Sequence, residues 1–202
     1  MAEPALLLPS DENRNSIGKR KVEDNSLKRI QDTLTEELVI GLCGPVGTDI
    51  HNVSKKIKSL LENEYNYKVV EIKLSKIIEL NSQPTYKPDI KHSKEYSRIK
   101  DLILRGDKLR EINSPRILAE CAIKRIGIER ENQRALYEST KDPSDKVRRI
   151  CYVIDSIKNK NEYDLFKSVY RDLFYFFGIF SPKEYRVNRL KERGLEENEI
   201  FD

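Results

Sequence analysis

Hydrophobic and polar residues follow two periods along this chain, and the switches between them mark out its elements. Leu38, Val39, Ile40 and Leu42 form a short, nearly continuous apolar run, the pattern of a parallel strand covered on both faces. The turn Gly44-Pro45-Val46-Gly47 follows. Ile50, Val53, Ile57, Leu60 and Leu61 then recur at helical spacing with lysines between them, which predicts an amphipathic helix ending near Glu64. Tyr67 to Leu74, YKVVEIKL, reads as a second strand. Strand, loop, helix and strand in such a short stretch make a βαβ crossover, whose sheet is expected to be parallel.

The middle of the chain reads as helical. A short helix at Ser75 to Leu80 and another at Lys94 to Arg105 flank a loop from Asn81 to His92 that carries Pro84 and Pro88. Gly106-Asp107-Lys108-Leu109-Arg110 reads as a polar turn between helices. Ser114-Pro115 offers an N-cap and a proline at the first helical position, and Ile117, Leu118, Cys121, Ala122 and Ile126 carry that helix to about Gly127 or beyond. The strand pattern returns at Arg149 to Asp155, RICYVID, before a helix at Asn161 to Tyr170. A fourth strand is expected at Leu173 to Phe180, LFYFFGIF, and a last helix opened by Ser181-Pro182. Four strands alternating with helices predict an open three-layer α/β fold with a mainly parallel sheet. Residues 1 to 35 are polar and weakly periodic, and read as a flexible tail before one domain over 36 to 202.

Composition narrows the function classes. No apolar run approaches the roughly 20 residues that span a bilayer, so no membrane partner is expected. The Ala5 to Leu8 cluster is short and preceded by Glu3, unlike a secretory leader, so a cytoplasmic location is expected. Cys43, Cys121 and Cys151 sit in apolar stretches without CxxC spacing, and neither His51 nor His92 lies near a cysteine; zinc is therefore not expected. A net charge of +4 does not point to nucleic acid, although Lys19-Arg20-Lys21 leaves such a contact open for the tail. A small anionic ligand is compatible with the charge balance.

Three constellations carry candidate chemistry. The strand, glycine turn and helix over Gly44, Pro45, Val46, Gly47, Thr48 and Asp49 provide the backbone half of a phosphate-binding loop, in which N–H groups converge at a helix N-terminus. The side-chain half differs. Asp49 stands where the last glycine of a P-loop belongs, Ile50 where its lysine belongs, and His51 where its magnesium-binding hydroxyl belongs. A turn using its glycines for geometry alone stays open beside the phosphate reading. Asp155, followed by Ser156, ends an apolar strand at the sheet edge where open α/β proteins bind ligands and where a P-loop protein holds magnesium. Arg186, Arg189 and Arg193 share one helical face, suited either to clamping phosphates or to pairing with Glu184, Glu192 or Glu196. Arg110 is a further candidate for reaching a nucleotide.

The stretch ELVIGLCGPVGTDIHNV, ILRGDKLRE with SPRILAECAIKRI, and YVIDSIKNKNEYDLF followed by YFFGIFSPKEYRVNRLKERG together resemble the N-terminal P-loop kinase-like domain of bacterial anti-phage deoxycytidylate (dCMP/dCTP) deaminases, over about residues 37 to 202. More distantly the layout is similar to nucleoside monophosphate kinases and dephospho-coenzyme A kinase. The resemblance implies that Gly44, Gly47, Thr48 and Asp49 form a modified phosphate loop, that Asp155 and Ser156 mark the second edge of the site, and that Arg186 and Arg189 belong to a lid. It also implies a nucleotide ligand, with magnesium reaching the site through Asp155. The H-x-E and P-C-x-x-C of a zinc deaminase do not occur, so the deaminase domain is absent and no deamination is expected from this chain. A kinase-like sheet would return from its lid to a last strand; ending at Glu199-Ile200-Phe201-Asp202, the chain reads as truncated, with an open edge to be covered by a homo-oligomer or by a deaminase domain or chain. The expected function is a nucleotide-binding regulatory module of such a defence system. The alternative is a small nucleotide kinase with a divergent P-loop, which the missing lysine disfavours.

Overall fold

The computed structural model describes residues 36–86, 91–141 and 149–200; the tail read over residues 1 to 35 lies outside them. Glu36–Asp202 forms one unit. β1 (Glu37–Cys43) is followed by α1 (Ile50–Glu64) and β2 (Lys68–Lys73). Next come α2 (Leu74–Asn81), α3 (Lys94–Ile112) and α4 (Ile117–Thr140). β3 (Ile150–Asp155), α5 (Lys160–Tyr170) and β4 (Phe174–Gly178) follow, then α6 (Lys183–Glu192) and the short α7 (Glu197–Ile200).

The four strands form one all-parallel sheet in the order β2-β3-β1-β4. β1 and β3 lie in its middle, and their apolar runs are buried on both faces, as a parallel strand between two helical layers requires. Alternate residues divide between those layers. Ile40, Leu42, Val69, Cys151 and Val153 pack with Ile50 and Ile57 of α1. Val39, Ile72, Tyr152 and Ile154 pack with Ile78 of α2, Leu118, Ala122 and Ile126 of α4, and Phe166 of α5. The three-layer α/β architecture expected from the periodicity is therefore the one observed.

This topology creates a crevice. β1 and β3 are neighbours, yet the chain leaves β1 toward the α1 layer and leaves β3 toward the α5 layer. Such a switch point opens a cleft at the carboxyl ends of the two strands, where doubly wound proteins bind ligands. Leu42 lies in register with Asp155 at that edge, and Ile157 N–H donates to Leu42 O at 2.8 Å just beyond it. The glycine turn and the loop after β3 thus meet.

Several elements depart from the sequence reading. Gly106-Asp107-Lys108-Leu109-Arg110 is not a turn: α3 runs straight through it to Ile112. A Cβ at Gly106 would come within 3.1 Å of Ile78 Cδ1, so this glycine lets α2 approach closely rather than breaking the helix. Asp107 and Arg110 then form an i,i+3 ion pair at 3.0 Å. α4 begins at Ile117 with Ser114, Pro115 and Arg116 in a preceding turn, and continues past Gly127 to Thr140. Strong helix formers and the Arg134–Glu138 pair at 2.9 Å sustain its outer half. Pro182, rather than Ser181, occupies the N-cap of α6. β4 is shorter than read and stops at Gly178. No helix among the described residues is long and apolar enough to cross a membrane.

Candidate functional site

The glycine turn sits between β1 and α1 under the helix α6. Its geometry is tight. A Cβ at Gly44 would meet Ile179 O at 2.8 Å, and one at Gly47, whose φ is +84°, would meet Arg186 O at 2.9 Å and Leu190 Cγ at 3.1 Å. Both glycines are thus required by the close approach of the chain leaving β4 and of α6, as well as by the turn itself. Pro45 and Val46 are exposed at its tip, and Thr48 N–H closes the turn onto Pro45 O at 3.1 Å.

Asp49 lies at the N-terminal end of α1, where a helix favours negative charge. Its carboxylate accepts from Asn52 Nδ2 at 2.7 Å and pairs with Arg189 of α6 at 2.5 Å. The Arg189 guanidinium holds the Asp49 carboxyl below the usual carboxylate range, against a smaller opposing effect of burial. The glycine turn and α6 are therefore joined by an internal ion pair. Ile50 points into the core with 8 % exposure. No cation can act from that position.

Positive charge reaches the loop from elsewhere. Lys158, three residues after Asp155 in sequence, donates to Gly44 O from the loop after β3; loss of solvent around its ammonium lowers its pKa. Asp155 and Ser156 are half-buried at the strand end. Burial pushes the Asp155 carboxyl up, while Lys73, His51 and Lys158 oppose this from around it. Glu71 nearby accepts from the buried Ser54 hydroxyl at 2.5 Å. Asp155 and Ser156 are the oxygen-bearing side chains at this strand end, the kind of group through which magnesium would be held together with waters and phosphates.

Arg189 and Arg193 find ion-pair partners outside α6, not among Glu184, Glu192 and Glu196. Arg189 takes Asp49, and Arg193, just past α6, takes Glu95 of α3. Arg186 is half-buried, and its Nε is buried without a hydrogen-bond partner, as is Thr48 Oγ1 in the loop. Arg110 is placed differently. Its guanidinium bridges Asp107 and, at 2.9 Å, the fully buried Glu162 of α5, so it ties two helices together.

A cavity of about 410 Å³ opens between α3 and α6, lined by Val46, Tyr96, Ile99, Ile103, Arg186 and Val187, with Lys100 and Lys183 at its wall. Sequence reasoning passed over it, although Tyr96, Ile99 and Ile103 form an apolar stripe at helical spacing. A smaller groove of about 260 Å³ lies at the carboxyl edge itself, between Cys43, Lys158, Tyr163 and Phe176. Loop, lid arginine and the larger cavity share one wall through Val46 and Arg186. The class this defines is an open, all-parallel α/β protein with a crevice at its switch point and a helix folded over the loop. No protein-family model matches the chain, and no curated protein matches it significantly.

Proposed function

We propose that this chain is a nucleotide-binding regulatory module, of the kind that accompanies anti-phage deoxycytidylate deaminases, and that it holds its nucleotide without transferring phosphoryl. The observation that carries the reading is the shared wall of the larger cavity: Val46 of the glycine turn and Arg186 of α6 line the same 410 Å³ space, a volume in the range of small-ligand sites. Thr48 Oγ1 and Arg186 Nε, both buried and unpartnered, are the polar groups a phosphate oxygen would satisfy. Tyr96, Ile99 and Ile103 suit a base and sugar. The defence context rests on the order of motifs that resembles the deaminase family.

Binding is favoured over transfer for a physical reason. A phosphoryl-transfer loop needs a lysine on the transferring group, and the loss of such a charge costs several kcal/mol of barrier. Ile50 is committed to the core, and Asp49 adds negative charge beside the anion. The kinase alternative draws on Lys158, which brings an ammonium to Gly44 from the loop after β3.

Titration calorimetry with deoxycytidine mono- and triphosphate and with ATP tests the reading. The expected result is saturable binding that Arg186→Ala weakens about tenfold, the worth of one charge-assisted contact. No binding at millimolar nucleotide overturns it. ATP turnover abolished by Lys158→Met and by Asp155→Ala replaces it with the kinase alternative.

A further inference from the structure

The two edges of the sheet are built differently. β2, at one edge, reads KVVEIK and carries Lys68, Glu71 and Lys73, charged residues of the kind that keep an edge strand from pairing with a stranger. β4, at the other edge, reads FYFFG. It has no charge, no proline and no bulge, and among the described residues no strand pairs with its outer side. Tyr175, Phe176 and Phe177 are 48 %, 40 % and 47 % exposed, and Phe180 just beyond is 83 % exposed. α1 packs over β1, β2 and β3, so Tyr175 and Phe177, in register with Ile40 and Leu42 of β1, stand beside a covered face without a helix of their own.

We propose that β4 is a self-association edge, on which a second copy of this chain pairs antiparallel across a two-fold axis at Phe176 to make one continuous sheet. The backbone sets this register. Ile179 N–H donates to Cys43 O of β1, so by the alternation of strand backbone groups Phe174, Phe176 and Gly178 turn their N–H and C=O groups to the open side. Centring the pair on Phe176 sets Phe176 against its copy and Phe174 against Gly178, so that every outward group meets an outward group in a hydrogen-bonded pair. Gly178 has open space where a side chain would stand, which leaves room for the Phe174 ring opposite. Tyr175 falls opposite Phe177 on the face that lacks a helix, an aromatic pairing of the kind that stabilises sheets.

The area is sufficient. An aromatic side chain buries roughly 150–250 Å², so Tyr175, Phe176, Phe177 and Phe180 leave roughly 400 Å² open per copy at their observed exposures. Fully covered, these rings supply up to about 800 Å² across the two copies, and the backbone edges bring the total to about 1,000 Å², the threshold for a specific interface.

Sedimentation equilibrium of the full chain over a concentration series decides the matter. A dimer is expected, with a dissociation constant below about 100 µM. Phe176→Pro removes an N–H that points away from β1, and Tyr175→Lys adds charge to the exposed face; circular dichroism verifies that each variant folds. Each raises the dissociation constant at least about tenfold, and amide exchange at Phe174, Phe176 and Gly178 slows with concentration in the unsubstituted chain alone. A chain monomeric throughout the series overturns the proposal and leaves this edge to a different strand. A dimer indifferent to both substitutions overturns it equally, by placing the contact elsewhere.

Discussion

At the scale of single residues, Asp49 is the position where the loop departs most consequentially from a phosphate loop. Its carboxylate and Arg189 satisfy one another at 2.5 Å, which holds α6 against Gly47 and keeps both charges from an incoming anion. Asp49→Asn removes the competing charge and frees the guanidinium, so nucleotide affinity is expected to rise about tenfold in calorimetry. The same change costs up to about 1 kcal/mol of stability in denaturant titration, since the pair is partly solvated. Its pH dependence has a definite sign. The folded pKa is depressed, so the contribution is complete above the ordinary carboxylate range near pH 4 and is lost as pH falls through the folded value. Asp155 has the opposite sign. Burial raises its pKa, so ionisation opposes folding, and Asp155→Asn is expected to raise Tm at pH 7. Thermal melts should show that gain shrink as the pH falls through the folded pKa and vanish below the ordinary carboxylate range near pH 4.

At the scale of elements, α7 is anchored to the start of α3 by a buried side chain. Glu199 is buried and accepts from Ser93 N–H at 2.6 Å, Ser93 Oγ at 2.7 Å and Glu196 N–H at 2.8 Å, with His92 Nδ1 3.3 Å away. Burial pushes its carboxyl up, but these hydrogen bonds outweigh that and hold it at about 2. Its contribution is therefore present above the ordinary glutamate range and fades as pH falls toward 2. Glu199→Ala should speed amide exchange at Ser93 and Glu196 at neutral pH while β3 amides are unaffected, and should open the cavity wall that Glu199 and Ile200 contribute. The sequence made the strands and most helices legible because burial on two faces leaves apolar runs such as Val39 to Leu42. It did not make legible what depends on distant approach. Gly106 reads as a turn residue until Ile78 is seen packed on it, and Arg189 and Arg193 read equally as phosphate clamps or as partners of neighbouring glutamates until Asp49 and Glu95 are brought to them by the fold. The cavity was half legible for the same reason: the stripe on α3 is local, whereas its facing wall on α6 is supplied by the chain topology. Arg105 was passed over entirely. It is buried, pairs with Asp101 at 2.9 Å and donates to Glu79 O at 3.1 Å, satisfying carbonyls at the end of α2.

At the scale of the whole molecule, Arg110 separates a structural arginine from a ligand-binding one. Glu162 is fully buried in α5, and Arg110 Nε meets its Oε1 at 2.9 Å while Oε2 has no partner. A buried carboxylate in that state depends on its one cation: removing Arg110 leaves an uncompensated charge between α3 and α5 and is expected to cost about 3 kcal/mol or more. Replacing both members by apolar residues removes the charge with its partner and should restore much of the loss, since a buried pair is often no more stable than a packed apolar one. Arg110→Met is therefore expected to lower the denaturation midpoint sharply, and Arg110→Met with Glu162→Leu to recover it in part. Nucleotide affinity, measured on protein that remains folded, should stay within about twofold in both, whereas Arg186→Ala does the reverse and weakens binding with little loss of stability. If instead Arg110→Met abolishes binding at unchanged stability, Arg110 belongs to the ligand site and the helix-tying role assigned to it is wrong.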